Sequence, residues 1–280
     1  MSTFESPAKL NLSLMVSPPR GDGYHPLSSL VQTVEWNDRL VVELGEGEDS
    51  LDIEGLELAV EGNLILSVLA ALRRHGRVPP LALTLHKEIP IEAGLGGGSS
   101  NAAAMLLAAE SEGWATSDHV AMTAESVGAD VSLFLVGGSM AVSGVGDVVE
   151  PLRRLEGFAV AVVVPEFGLS TATVYQQWDE MEGPEGDAVA DDHLPPVLRD
   201  QMPMRNDLLP AALEVDARLG DFMADIRHEW GTTVCLTGSG SACFGYFGSV
   251  EEAEHAVTAV AHLTSVARGT ALRPRGVIQV

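Results

Sequence analysis

Residues 89–101 read Ile-Pro-Ile-Glu-Ala-Gly-Leu-Gly-Gly-Gly-Ser-Ser-Asn, a glycine-rich turn between two patterned segments. Before it, Leu81, Leu83 and Leu85 alternate with smaller or polar residues, which predicts a strand over 81–87. After it, residues 102–110 are rich in Ala and Leu and predict a helix, with Ser99, Ser100 and Asn101 as its expected caps. A glycine loop that opens a helix brings backbone N–H groups close to a ligand. The positive end of the helix dipole then favours an anion, most simply a phosphate. The glycines alone also allow a flexible linker. A P-loop is excluded because no Lys follows them. A dinucleotide fingerprint fails as well, since Gly94, Gly96 and Gly98 leave Ser99 where its last glycine should fall.

The 280 residues hold 40 Asp and Glu against 16 Lys and Arg, a formal charge of −24. Such a surface repels a phosphate backbone and argues against a nucleic-acid partner. The apolar content of 46% is enough for one large domain or two ordinary ones. No apolar run approaches the ~18 residues of a membrane span, so no membrane partner is expected. The first residues, Met-Ser-Thr-Phe-Glu-Ser-Pro, lack the pattern of a signal peptide. Cys235 and Cys243 flank a Gly/Ser turn and are expected as reduced residues on neighbouring strands. The expected compartment is the cytoplasm. Only two of the cationic residues are lysines, Lys9 and Lys87, and each stands before one of the most motif-like stretches. An anionic substrate approaching so acidic a chain needs local positive charge. Ordinary surface lysines are the alternative.

Residues 8–16 alternate, with Leu10, Leu12, Leu14 and Val16 on one face of a strand and Lys9, Asn11 and Ser13 on the other. Arg-Gly-Asp-Gly at 20–23 is a turn that delivers Tyr24 and His25. Strands are predicted over 30–34 and 39–44, then an acidic, loop-rich segment over 46–57. Asn63 should cap a helix over 64–75 closed by Gly76, and a second helix should run from Ser117 to about Gly128. A strand over 139–143 completes an expected first domain, residues 1–150.

The expected second domain, residues 151–280, opens with a buried strand over 158–164 and a helix over 171–181. An exposed acidic loop over 183–196 precedes one or two helices within 207–230. Strands over 232–236 and 243–247 flank Thr-Gly-Ser-Gly-Ser-Ala. Ser249 and Glu252 form a capping box for a helix to residue 263, and a strand over 266–272 follows. This order suggests a ferredoxin-like α/β sandwich.

The segment Gly-Leu-Gly-Gly-Gly-Ser-Ser-Asn-Ala-Ala resembles the phosphate-binding motif of the GHMP kinases. In this form it is similar to one branch, the 4-diphosphocytidyl-2-C-methyl-D-erythritol kinases. Pro-Ala-Lys-Leu-Asn-Leu at 7–12, Asp-Gly-Tyr-His at 22–25, Gly-Ala-Asp-Val at 128–131, Asn-Asp-Leu at 206–208 and Thr-Gly-Ser-Gly at 237–240 also fall in that family's order. The resemblance implies an α+β, two-domain GHMP kinase fold. Its N-terminal domain would be ribosomal-protein-S5-domain-2-like and its C-terminal domain a ferredoxin-like sandwich. It also implies ATP-dependent phosphorylation of the 2-hydroxyl of a cytidine diphosphate-linked methylerythritol, by a monomer or weak homodimer. Mg²⁺ would be carried in with ATP rather than held at a resident metal site.

On that resemblance Asp130 is the catalytic base, Lys9 pairs with it, and Asn11 reaches into the site from the same strand face. Gly94, Leu95, Gly96, Gly97, Gly98, Ser99 and Ser100 would hold the phosphates, with a Ser hydroxyl near Mg²⁺. Asn63 and Lys87 fall where the family lines its adenine pocket. His25 would read the cytosine edge, Tyr24 would contact cytidine, and Tyr175 would stack from the second domain. Thr171, Gly238 and Ser239 would close the site. Gln176 departs from the pattern, standing where a basic residue would serve a diphosphate. Taken by themselves, Asp130 also reads as a turn or cap residue, Tyr24 and His25 as loop packing, and 237–241 as a tight hairpin. The rival functions are a GHMP kinase for a sugar, mevalonate or homoserine, and an inactive nucleotide-binding sensor of the same fold.

Overall fold

A computed structural model describes residues 1–55, 60, 62–74 and 76–280. The alternation read at 8–16 belongs to a longer strand, β1 (Ser2–Val16). Its Ala8, Leu10 and Leu12 pack against a second sheet rather than beneath helices. This leaves Lys9 and Asn11 on the face that lines a cleft. The two strands expected next are one, β2 (Leu27–Leu44), broken by a register shift. Pro7 pairs with Asn37 while Ala8 pairs with Val34, so two extra residues of β2 bulge at the point where proline has no N–H to give the ladder. Just past that bulge, the pairing of Arg39 with His86 of the strand over 81–86 places Asp38, wholly buried, beside the start of the glycine loop.

The acidic segment expected as loop contains β3 (Ser50–Glu54), whose alternating Leu51 and Ile53 pack on the core between charged neighbours. It pairs in parallel with β4 (Leu81–His86) across a helical crossover, α1 (Leu64–Arg73). Asn63 caps α1 through a 3.0 Å bond from the Ile65 N–H to its side-chain oxygen. His75, the expected end of that helix, and Glu57, the expected end of the acidic segment, lie outside the described residues. Three further helices follow: α2 (Gly97–Ser111), α3 (Ser117–Val127) and α4 (Val131–Val136). Thr116, not Ser117, caps α3, accepting from the His119 N–H. Strand β5 (Ser139–Ser143) pairs onto the near half of β2, and β6 (Val148–Pro151) pairs onto β5.

The second sheet begins with β7 (Ala159–Val164), buried at all six positions as its unbroken apolar run requires. Helices α5 (Thr171–Glu180), α6 (Leu209–Val215) and α7 (Arg218–Trp230) lead to β8 (Cys235–Leu236) and β9 (Cys243–Phe247). Helix α8 (Val250–Ala259) and β10 (Val266–Ala271) complete it. The strand order β10-β7-β9-β8, all antiparallel, is the ferredoxin-like arrangement expected. Cys235 and Cys243 lie on the neighbouring strands β8 and β9 as free thiols.

Strand β11 (Ile278–Gln279), at the end of the expected second domain, returns to pair with β1 in the first sheet. The Val277 N–H also bonds to the Phe134 carbonyl at 2.9 Å, so the tail is tied to the N-terminal core. The acidic stretch 183–196 is largely irregular and exposed, as expected, but it is tethered to the rest of the protein. Leu194 is buried, the Gly186 N–H reaches Asp207 at 3.0 Å, and the Trp178 indole donates to the Pro184 carbonyl at 3.0 Å.

Candidate active site

The glycine loop ends earlier than its sequence suggested. Helix α2 begins at Gly97, and its N-cap is Gly96 in a left-handed conformation (φ 71°) with no side chain capping the helix. Ser99, Ser100 and Asn101 therefore lie inside the helix rather than capping it. A side chain at Gly96 would place its Cβ 2.7 Å from the Phe134 ring and 3.2 Å from Lys9 Cγ, so only glycine fits between them. At Gly94 a Cβ would sit 2.5 Å from the Thr237 carbonyl, which is how closely the two glycine turns approach. The Ala242 N–H joins them further by donating to the Ala93 carbonyl at 3.1 Å. An uncapped start leaves the first-turn N–H groups of a 15-residue helix to the cleft, where Gly97, Gly98 and Ser99 form part of the wall.

Lys9 and Asp130 face this helix start. The Lys9 ammonium lies 2.6 Å from Asn11 Oδ1 and 4.0 Å from Asp130 Oδ2. Lys9 is almost fully buried, whereas the Asp130 side chain is 41% exposed to the cleft. Burial pushes the Lys9 ammonium below the usual lysine range, and the charge of Asp130 opposes that shift. Asp130 is the N-cap residue of α4, yet its carboxylate makes no capping bond and is left for other work. Asn11 is fixed from two sides: its amide donates to Ser29 Oγ at 2.8 Å, and its backbone N–H donates to Thr237 Oγ1 at 2.9 Å.

The cleft between the two sheets has a volume of about 550 Å³. Its wall brings together Lys9, Asn11, Asn63, Lys87, Gly94, Leu95, Gly96, Gly97, Gly98, Ser99, Asp130, Thr171, Tyr175, Gly238 and Ser239. Thr171 and Ser239 bond through their hydroxyls at 2.8 Å, closing the side formed by the second sheet. Ser100 is not on the wall; it is fully buried, and its hydroxyl has no hydrogen-bond partner. Burial and the Asp130 charge raise the Tyr175 phenol to about 12, so this ring stays neutral at any physiological pH.

The pair expected to read a base is displaced from the wall. Tyr24 is 65% exposed on its turn. His25 stands behind Tyr175, with ring centroids 5.1 Å apart, and meets Trp178 edge-on at 5.4 Å. Its Nδ1–H points to the Ser17 carbonyl at 3.2 Å, and its Nε2 lies 3.4 Å from Asp179 Oδ2.

Sequence reasoning missed Asp38 as a support of the site. It named Thr237 and Asn206 only as parts of motifs, not for their side chains. The Asn206 amide donates to the Leu236 and Gly238 carbonyls at 2.9 and 2.8 Å and so shapes the second glycine turn.

An uncapped glycine helix start facing a Lys/Asp pair across a two-sheet cleft defines a GHMP-type small-molecule kinase, and the model for the GHMP kinases N terminal domain matches residues 63–138. The solved structure of a homoserine kinase from Cytophaga hutchinsonii shares this fold, with a TM-score of 0.67 over 100% of this chain and 97% of that one at 17% identity. A solved 4-(cytidine 5'-diphospho)-2C-methyl-D-erythritol kinase is 30% identical, with a TM-score of 0.75 over 96% of this chain and 98% of its own. The 4-diphosphocytidyl-2-C-methyl-D-erythritol kinase of Chelativorans sp. (strain BNC1) is 34% identical over 269 residues, 90% of this chain and 88% of the relative. That of Rhizobium meliloti (strain 1021) is 34% identical over 272 residues, 92% of this chain and 90% of the relative. The chain belongs to the 4-diphosphocytidyl-2-C-methyl-D-erythritol kinase family. Among the described residues no helix is long and apolar enough to cross a membrane.

Proposed function

We propose that this protein transfers the γ-phosphoryl group of ATP to the 2-hydroxyl of 4-diphosphocytidyl-2-C-methyl-D-erythritol, releasing ADP, in the cytoplasm. The observation that carries the reading is the Lys9–Asp130 pair facing the uncapped start of α2 in one cleft. The N–H groups of Gly97, Gly98 and Ser99 would receive the β- and γ-phosphates, and the helix dipole would favour their charge. Asp130 would orient the acceptor hydroxyl and take its proton as the new P–O bond forms and the bond to ADP breaks. Lys9, held by Asn11, would offset the charge developing on the transferred group.

Oxygen donors suit Mg²⁺, and of the two serines only the Ser99 hydroxyl stands on the cleft wall. Bound with the nucleotide, that ion would supply neutralisation of phosphate charge. The cytidine end of the substrate would lie towards Tyr175, whose ring is backed by His25. Tyr24, exposed on its turn, would fold onto the cytidine once substrate is present. One chain supplies both sides of the cleft, so a monomer suffices.

The test is the identity of the product. Phosphorus NMR of a complete reaction should show one new phosphomonoester coupled to the 2-position of the methylerythritol. A monoester at another hydroxyl would overturn the placement of Asp130 against the 2-hydroxyl.

A further inference from the structure

Beneath the glycine loop lies a buried carboxylate to which the reaction gives no role. Asp38 is fully buried in β2 beside the bulge, and its carboxylate receives hydrogen bonds from two segments of the chain, 87–89 and Asn101. Its Oδ1 accepts the backbone N–H groups of Glu88 and Ile89, each at 2.8 Å. Its Oδ2 accepts the Lys87 ammonium at 2.6 Å and the Asn101 amide at 2.9 Å. Asn101 belongs to α2 and also donates to Ser6 Oγ of β1 at 2.8 Å. One carboxylate thus links the entry of the glycine loop to the helix at its exit.

Lys87 was expected to line the adenine pocket, and most of its ammonium is committed to the protein itself. A second proton goes to the Ile89 carbonyl at 2.5 Å, which leaves one of its three N–H groups at the cleft wall. The ammonium rests against the first turn of α2: a Cβ on Gly97 would lie 2.9 Å from Lys87 Nζ. An ion pair this deep is a poor device for stability alone, because the desolvation of both charges offsets their attraction. Burial already presses Lys87 towards its neutral form, and Asp38 opposes that pressure.

We infer that Asp38 is a positioning residue for the nucleotide side of the cleft. It holds a charged Lys87 under Gly97 and, through Asn101, sets the first turn of α2 against the loop that leads into it. This rests on reading residues 94–100 as the phosphate loop for ATP.

The test uses the full chain and the variants Asp38→Asn, Lys87→Met and the two combined. Titration with a non-hydrolysable ATP analogue and Mg²⁺ gives affinity, thermal unfolding gives stability, and kinetics give KM for each substrate. Asp38→Asn should weaken the analogue and raise KM for ATP about tenfold or more, the order of one lost charge-assisted hydrogen bond. KM for the cytidine substrate should stay within about twofold. The double variant buries no charge and should recover the melting temperature lost by either single change. Its affinity for the analogue should remain low. Affinity that returns with stability in the double variant would overturn the inference, because Asp38 would then serve the fold alone. Equal rises in both KM values would overturn it too. Where Asp38→Asn does not fold, the double variant decides. A wild-type chain that binds no analogue refutes the phosphate-loop reading itself, whereas wild-type binding with unaffected variants refutes only the role of Asp38.

Discussion

Replacing Gly96 with Ala tests the proposed cradle at its tightest point. The residue sits at φ 71°, where an L side chain costs about 1–2 kcal/mol. The added methyl would stand 2.7 Å from the Phe134 ring, which is wholly buried and has nowhere to go, and 3.2 Å from Lys9 Cγ. Overpacking of this kind costs a further ~1–3 kcal/mol. A full cost of about 2–5 kcal/mol corresponds to a melting point roughly 5–15 °C lower for a chain of this size. Relaxation would reduce that loss only by moving the loop away from Phe134 and Lys9, which spoils the helix start. The variant should therefore either melt early or bind ATP poorly. Thermal unfolding with and without an ATP analogue measures both effects. A melting point within about 2 °C of wild type, together with an unchanged KM for ATP, would refute the argument that steric fit makes glycine obligatory here.

Asp130→Asn keeps the shape of the residue but removes the base, so kcat should fall about 10²–10⁴-fold while analogue affinity stays near wild type; near-normal kcat would reject the assignment. Turnover should hold while Lys9 keeps its proton and decline as pH rises through a pKa that burial has set below the usual lysine range. The sign follows from the ammonium being the working form. Lys9→Arg, which stays charged, should lack that alkaline limb, and a wild-type profile flat into the usual lysine range would contradict the role of Lys9. His25→Ala removes the ring behind Tyr175 and should raise KM for the cytidine substrate about tenfold with little change for ATP. Equal losses for both substrates would return His25 to a packing role.

The parts legible in the sequence were those set by local pattern. Period-two alternation gave β1, and the unbroken apolar run gave the buried strand β7. Glycine spacing gave the loop, and Asn63 and Ser249 signalled their helices, with Glu252 reaching back to the Gly248 N–H rather than that of Ser249. What escaped was set by distant partners. Gly96 is the helix cap because Phe134 and Lys9 leave no room for a side chain there, a constraint that neighbouring residues do not record. Asp38 and Lys87 stand 49 positions apart and meet because β2 pairs antiparallel with β4, Arg39 opposite His86. The short strand β3 was masked by the acidic residues around Leu51 and Ile53. The return of β11 to the first sheet left no periodic signal, being two residues long.

The most direct measurement is ADP release by the purified chain with Mg-ATP and a panel of acceptors. The panel holds 4-diphosphocytidyl-2-C-methyl-D-erythritol, free methylerythritol phosphate, mevalonate, galactose and homoserine. Turnover is expected with the first acceptor alone, because only that acceptor carries a cytidine for Tyr175 and His25 to hold. Equal or faster turnover with any acceptor lacking cytidine, or ATP binding with no turnover on any of them, would contradict it.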